Sequence, residues 1–158
     1  MPSLPTCDTL LLKLETGVLH ITLNRPDSRN AMSLAMVAEL RAVLAAARDD
    51  RSLRALVLRG AGGHFCAGGD IKDMASARSA GAAAYRELNR AFGSLLEEAQ
   101  CVPQVLIAVL EGAVLGGGFG LACVSDIAIA GADAKFGLPE TSLGVIPAQI
   151  APLSLIHI

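Results

Sequence analysis

The sequence predicts an α/β domain whose strands are joined by crossover helices. Three observations carry this. Strand-like apolar runs alternate with helical patterns along most of the chain. The runs Ala55–Arg59 and Val105–Leu110 are largely apolar, as parallel strands covered on both faces are. Two glycine-rich stretches, His64–Lys72 and Gly112–Gly120, each stand where a strand hands over to a helix.

The elements follow in order. Leu10–Glu15 and Val18–Asn24 read as a hairpin around Thr16-Gly17. Asn24–Asn30, with its Pro, Asn and Asp, is a loop. Ser33 is a candidate N-cap for a helix to about Asp49, with Leu34, Val37, Leu40 and Leu44 on one face. Ala55–Arg59 is a short strand closed by Gly60-Ala61-Gly62-Gly63. A second helix spans about Ala80 to Gln100 and is stopped before Pro103. Its apolar stripe is Tyr85, Leu88, Phe92, Leu95 and Leu96; Arg86, Glu87, Arg90, Glu97 and Glu98 form its wet side. Val105–Leu110 is a strand, residues near 117–124 a short helix, and Asp126–Ala130 another strand.

Composition narrows the function. The 158 residues fit one domain. A net charge of -2 and scattered Lys and Arg argue against nucleic acid or an anionic membrane as partner. Aromatics at 3% leave little for base stacking. Mean hydropathy of +0.51 raises the question of a membrane span. In the most apolar run, Val105–Ala134, Glu111 and Asp126 bound a glycine-rich segment shorter than the roughly 20 apolar residues a spanning helix needs. Cys7, Cys66, Cys101 and Cys123 form no C-x-x-C pair, and with His20, His64 and His157 show no metal spacing. Reduced thiols and no basic stretch ahead of an apolar one lead to the expectation of a cytoplasmic protein without a secretory signal.

The glycine stretches carry the chemistry. Gly69 follows Ala67-Gly68 in a tight turn where a ligand can approach the main chain. Gly117 opens a helix, so its N–H has no partner within that helix. Two such amides converging on one oxygen would form an oxyanion hole, and Glu140 after Pro139 would supply an acid/base. Taken singly, each has a plainer reading. Gly68-Gly69 can be an ordinary turn, Gly116–Gly118 a helix–strand packing site, and Glu140 a helix-start carboxylate. Asp70 and Asp73 can cap a short helix, His64 can be merely solvated, and Asp126 can bond to backbone. Dinucleotide, P-loop and nucleophile-elbow patterns do not occur.

Together the motifs are recognisable. Asn24-Arg25-Pro26 with Asn30-Ala31-Met32, Phe65–Ile71, Gly112-x-x-x-Gly116-Gly117-Gly118, Ser125-Asp126-Ile127 and Phe136–Glu140 occur in the order seen in the crotonase (enoyl-CoA hydratase/isomerase) superfamily. The resemblance covers about residues 8–152. It implies repeated ββα units in a spiral fold, acyl-CoA thioester substrates, and no cofactor, coenzyme A being part of the substrate. It implies oxyanion donors at Gly69 and Gly117 and an acid/base at Glu140. It implies contacts to CoA or thioester from Ser28, Arg29, Ala67, Gly69, Asp70, Ile71, Gly117 and Gly120, largely through backbone. It also implies a trimer or dimer of trimers.

Two departures stand out. Typical hydratases carry a second glutamate where this chain has Gly120, and the family continues beyond this chain into helices that complete the pocket and the trimer contacts. The expectation is a core domain over 1–152 lacking that C-terminal helical part. Leu153–Ile158 resembles the translation of a transposon end used in sequencing libraries and is expected to be a non-native tail. Within the superfamily, Gly120–Asp126 and Leu138–Pro152 most resemble isohexenylglutaconyl-CoA hydratases of bacterial acyclic terpene breakdown, which share Gly120. Hydration of an α,β-unsaturated acyl-CoA is therefore the first expectation, and double-bond isomerisation by a single glutamate the second. A non-catalytic acyl-CoA-binding module and an inactive fragment are the others.

Overall fold

The computed structural model describes residues 4–155. Strands β1 (Leu10–Glu15) and β2 (Val18–Leu23) form an antiparallel hairpin. Its turn places both Thr16 (φ 49°) and Gly17 (φ 81°) in the left-handed region, as tight two-residue hairpins require. Next come α1 (Leu34–Arg48), β3 (Ala55–Gly60), α2 (Ile71–Ala80), α3 (Ala82–Gln100) and β4 (Val105–Leu110). The chain continues through β5 (Ala113–Leu115), α4 (Gly117–Val124), β6 (Ile127–Ala130), β7 (Lys135–Gly137) and α5 (Ala151–Leu155). Short 3-10 helices occupy Pro26–Ser28 and Pro139–Leu143.

The main sheet has the order β1-β2-β3-β4-β6, parallel from β2 onward. A second, smaller row runs beside it. There β5 pairs with β7, and single bridges link Cys66 to Val114 and Met32 to Gly69. Each of β2, β3, β4 and β6 is thus followed by a short extended piece in the second row, and then by helix. These are the repeated ββα units that the resemblance implies.

One face of the main sheet is dry. Leu19, Ile21 and Leu23 of β2, Leu56 and Leu58 of β3, and Leu106, Ala108 and Leu110 of β4 are buried. They share one core with Met36, Leu40 and Val43 of α1 and Leu95, Leu96 and Ala99 of α3. Ser33 caps α1: Met36 N donates to its Oγ at 3.2 Å. Asp126 holds β4, accepting from Leu106 N at 2.8 Å.

The structure overturns one expectation and adds elements that the sequence did not announce. Coverage on both faces is not found among the described residues: burial alternates along β2, β3 and β4, and Ile127 and Ile129 of β6 are exposed. The helix expected over 80–100 is joined by a separate α2, broken off at Gly81 (φ 107°). Only Ala77 of α2 is buried, so α2 has no apolar stripe to betray it. In α1, Val37, Leu40 and Leu44 are buried as expected; Leu34 at the N-terminal end is 45% exposed, and Met36, Val43 and Ala47 widen the buried face. The pairings of β5 and β7 depend on backbone too short for a periodicity to register. Leu153–Leu155 continue α5, and 156–158 of the expected tail lie outside the described residues. No helix among the described residues is long and apolar enough to cross a membrane.

Leu56 and Leu106 sit at the centre of this core. Truncating either to alanine is expected to cost about 2–5 kcal/mol in urea unfolding. Leu11→Ala, at a position 55% exposed, should cost under about 0.5 kcal/mol. Equal losses at the three positions would show that the core is misplaced.

Candidate active site

The site begins with the loop after β2. Asn30 is fully buried with φ 56°, a conformation asparagine tolerates better than most residues. Its Oδ1 accepts from Arg25 N at 2.8 Å, and its Nδ2 donates to Ala61 O and His64 O at 2.8 and 2.7 Å. The main chain adds further links to the neighbouring loop. Ala67 N donates to Arg29 O, Met32 N to Gly68 O, and Asp70 N to Met32 O, at 3.0, 2.8 and 3.0 Å. Arg25 completes the join. Its Nη2 lies 2.9 Å from Asp70 Oδ2, and its Nη1 donates to Ala31 O.

Asp70 ends the first glycine turn and caps α2, its Oδ1 accepting from Lys72 N and Asp73 N at 2.9 and 3.3 Å. Burial alone would raise its pKa. The Arg25 guanidinium and the backbone N–H groups of Asp73 and Lys72 outweigh burial and hold the carboxyl below its ordinary value. The side chain expected among the substrate contacts is thus already committed within the protein. Asp73 is engaged too: its Oδ2 accepts from Leu34 N at 2.7 Å, tying α2 to the start of α1.

The second glycine turn lies directly against the first. Gly68 (φ 102°) and Gly116 (φ 48°) both occupy left-handed backbone. A Cβ on Gly116 would stand 3.4 Å from Gly68 Cα and 2.7 Å from Glu140 Oε1. Glycine at 116 therefore admits both the neighbouring turn and the carboxylate. Gly69 and Gly117 follow these two residues in their respective turns. Among the described residues, neither amide has a hydrogen-bond acceptor. Cys66 lies between the turns, fully buried: Gly68 N is 3.4 Å from its Sγ, and a Cβ on Gly118 would be 3.3 Å from it. Burial pushes this thiol up to about 11.

Both turns open on a cavity of about 680 Å³. Of the residues expected from sequence, Ser28, Arg29, Ala67, Gly69, Asp70, Ile71, Gly117 and Glu140 line it. Gly120 does not. It is buried, and a Cβ there would meet Leu96 Cδ1 at 3.1 Å and Ile150 Cγ1 at 3.3 Å. Glu140 Oε2 is buried with no hydrogen-bond partner among the described residues. The apolar wall includes Met32, Met74, Leu88, Phe92 and Ile150. His64 is not free to act as a base in its present contact, since its Nδ1 accepts from Ala113 N at 3.1 Å.

Sequence reading missed Arg25, Asn30, Phe92 and Cys66 as parts of the site. Asn30 and Arg25 lay in a quoted motif, and the signal available was an asparagine in a loop that also carries a buried-turn role. Phe92 was assigned to an apolar stripe, yet its ring edge lies 2.9 Å from where a Gly117 Cβ would be.

The Arg25–Asp70 pair has a definite acid signature. The folded pKa of Asp70 lies below its unfolded value, which is about 3.9. Its stabilisation is complete above the unfolded value and is lost as pH falls through the folded one. The stability difference between wild type and Asp70→Asn, measured by urea titration, should hold from about pH 7 to 5 and shrink below about pH 4. A difference that grows on acidification would refute the pairing.

The enoyl-CoA hydratase/isomerase family profile matches residues 13–158. The human mitochondrial enoyl-CoA hydratase domain-containing protein 2 is 37% identical over 84% of this chain and 45% of its own length. The 2,3-dehydroadipyl-CoA hydratase of Escherichia coli K12 is 38% identical over 87% of this chain and 52% of its own. Among solved structures, Pseudomonas aeruginosa AtuE superposes with a TM-score of 0.92 at 80% identity, covering 94% of this chain and 57% of that one. An enoyl-CoA hydratase/isomerase from Marinobacter aquaeolei gives 0.91 at 61% identity, covering 94% and 58%. The chain spans about half the length of the curated relatives it matches. With this profile match, these identities and the shared fold, the chain belongs to the enoyl-CoA hydratase/isomerase family.

Proposed function

We propose that the protein adds water to the double bond of an α,β-unsaturated acyl-CoA thioester. The observation that carries this is the pair of unpartnered amides, Gly69 and Gly117, in adjoining turns of one cavity that also holds Glu140. Water oxygen bonds to the β-carbon, and the double-bond electrons move through the α-carbon onto the thioester oxygen. The two N–H groups hold that oxygen as an enolate; each such donor is worth about 3–4 kcal/mol in a transition state. Gly117 adds the positive end of the α4 dipole. Glu140 carries the protons between water and the α-carbon. Ser28, Arg29, Ala67 and Ile71 would hold the coenzyme A portion of the substrate, largely by backbone, and no separate cofactor enters.

The finer substrate assignment rests on the sequence around Gly120 and Leu138–Pro152, which supports isohexenylglutaconyl-CoA and a place in bacterial acyclic terpene breakdown. That substrate carries its own carboxylate, which can orient water where the chain supplies Gly120. A trimer or dimer of trimers in the cytoplasm is part of the same proposal. Exposed Ile127 and Ile129 of the edge strand β6 and Phe136 of β7 support an assembly that covers these strands.

One observation favours a second reading. The position of the family's second glutamate is closed by Leu96 and Ile150. A single carboxylate suits proton transfer between carbons, which is double-bond isomerisation. Oxygen-18 water separates the two: hydration incorporates label into a 3-hydroxyacyl product, whereas isomerisation leaves the acyl chain unlabelled.

Glu140→Gln is expected to lower turnover of an enoyl-CoA substrate by about 10²–10⁴-fold. Unchanged turnover would remove Glu140 from the chemistry. Gly120→Glu should not add a working second carboxylate. It should instead cost roughly 1–3 kcal/mol of stability through overpacking against Leu96 and Ile150. Faster hydration in that variant with an unshifted urea midpoint would overturn the packing argument.

A further inference from the structure

We infer that Arg25 and Asp70 are positioning residues for the Gly69 amide, acting as a clamp that aims it into the cavity. The inference rests on the oxyanion reading above and assigns the means by which one of its donors is held.

The argument starts from connectivity. The Gly69 amide lies between Gly68, whose carbonyl accepts from Met32 N, and Asp70, whose N–H donates to Met32 O. The peptide plane carrying the Gly69 N–H is therefore bracketed by two bonds to one residue of the neighbouring loop. Glycine has no side chain to hold its own orientation, and Gly68 sits at φ 102°. Something outside the turn must fix it. The Asp70 side chain does so from one end. Its Oδ1 anchors to the first turn of α2, and its Oδ2 meets Arg25 at 2.9 Å. Arg25 in turn bonds to Ala31 O, one residue before Met32. The guanidinium thus joins the two strands of the bracket, with Asn30 fixing the backbone of Arg25 behind it. The Asp70 side chain is 10% exposed and that of Arg25 29%, so the pair is partly shielded from solvent.

The amide's distance from its acceptor matters steeply, because a displacement of about 1 Å can cost about a hundredfold in rate. Loss of the clamp should therefore weaken the contact to a polarised oxygen while leaving general ligand binding largely intact.

Asp70→Asn separates this role from simple capping. Asparagine caps a helix as well as aspartate does, and the change is nearly isosteric, yet it ends the ion pair with Arg25. The probe is 4-dimethylaminocinnamoyl-CoA, whose absorption moves to the red when its thioester oxygen accepts hydrogen bonds. Wild type should produce that red shift on binding. Asp70→Asn should lose at least about half of it while the Kd for the probe changes by less than about threefold. Amide hydrogen exchange over residues 67–70 should speed up in the same variant. Arg25→Ala should match it, Arg25→Lys should keep part of the shift, and the double variant should lose no more than either single. A full shift in Asp70→Asn, unchanged exchange, or additive losses in the double variant would overturn the clamp while leaving the oxyanion reading intact. A wild-type chain that leaves the probe's band unmoved would end the oxyanion reading, and the clamp's purpose with it. A lowered melting temperature with an undiminished shift in the folded protein would reduce the pair to ordinary structure and overturn the inference.

Discussion

The contact between Gly68 and Gly116 is the constraint on which the rest depends. Two turns from separate ββα units meet with no side chain between them. Both residues hold left-handed backbone, where a Cβ would be strained in any case. At Gly116 the missing side chain serves twice, since its space is shared by the neighbouring turn and by the Glu140 carboxylate. The second row of short strands exists to bring this about. Cys66 pairs with Val114 and Met32 with Gly69, so the two turns are registered by backbone hydrogen bonds rather than by apolar packing alone.

The two carboxylates nearest the turns are treated differently, and the difference is informative. Asp70 is buried and fully answered, by Arg25 on one oxygen and by backbone amides on the other. That arrangement suits a fixed part of the scaffold, because burial of an unanswered charge would be costly. Glu140 instead has one buried oxygen with no partner among the described residues. An unsatisfied buried acceptor typically costs about 1–3 kcal/mol. Native folds concentrate such costs where chemistry happens. The fold therefore satisfies the Asp70 carboxylate and leaves open the Glu140 carboxylate, the one to which the proposed function assigns proton transfer.

Much of this was legible in the sequence, and the gaps have physical causes. Strands β1 to β4 and helix α1 announced themselves through apolar pattern, turn residues and the Ser33 cap. The glycine turns were visible because glycine marks backbone that other residues cannot adopt. Glu140 by its place after Pro139 read as a helix-start carboxylate, and only the family resemblance singled it out. Helix α2 was not, since a helix that buries only Ala77 leaves no stripe to read. The roles of Arg25 and Asn30 were hidden for another reason: each acts on residues more than thirty positions away, Asn30 on His64 and Arg25 on Asp70. Local pattern reports what a segment does to itself. It does not report which distant loop its polar side chains will hold.

Helix α4 shows how closely space and chemistry are coupled at this site. Its three glycines face three different obstacles: Phe92 at Gly117, Cys66 at Gly118, and Leu96 with Ile150 at Gly120. The first keeps an amide bare toward the cavity. The second allows the helix to sit against the strand that carries the other turn. The third closes the direction from which a second carboxylate would have to approach. A water molecule awaiting addition to the substrate must then be held by groups from other elements, and Asn89, Ser142 and Gln149 are polar side chains along the cavity wall. None of these is a base at neutral pH. Of the other carboxylates lining the cavity, Asp70 and Asp73 are held by Arg25 and backbone amides and Asp27 is exposed, so on the hydratase reading proton removal falls to Glu140 or to a carboxylate that arrives with the substrate. On that reading, the packing around Gly120 leaves the incoming water to be oriented by the substrate's own carboxylate or by an ordered water network.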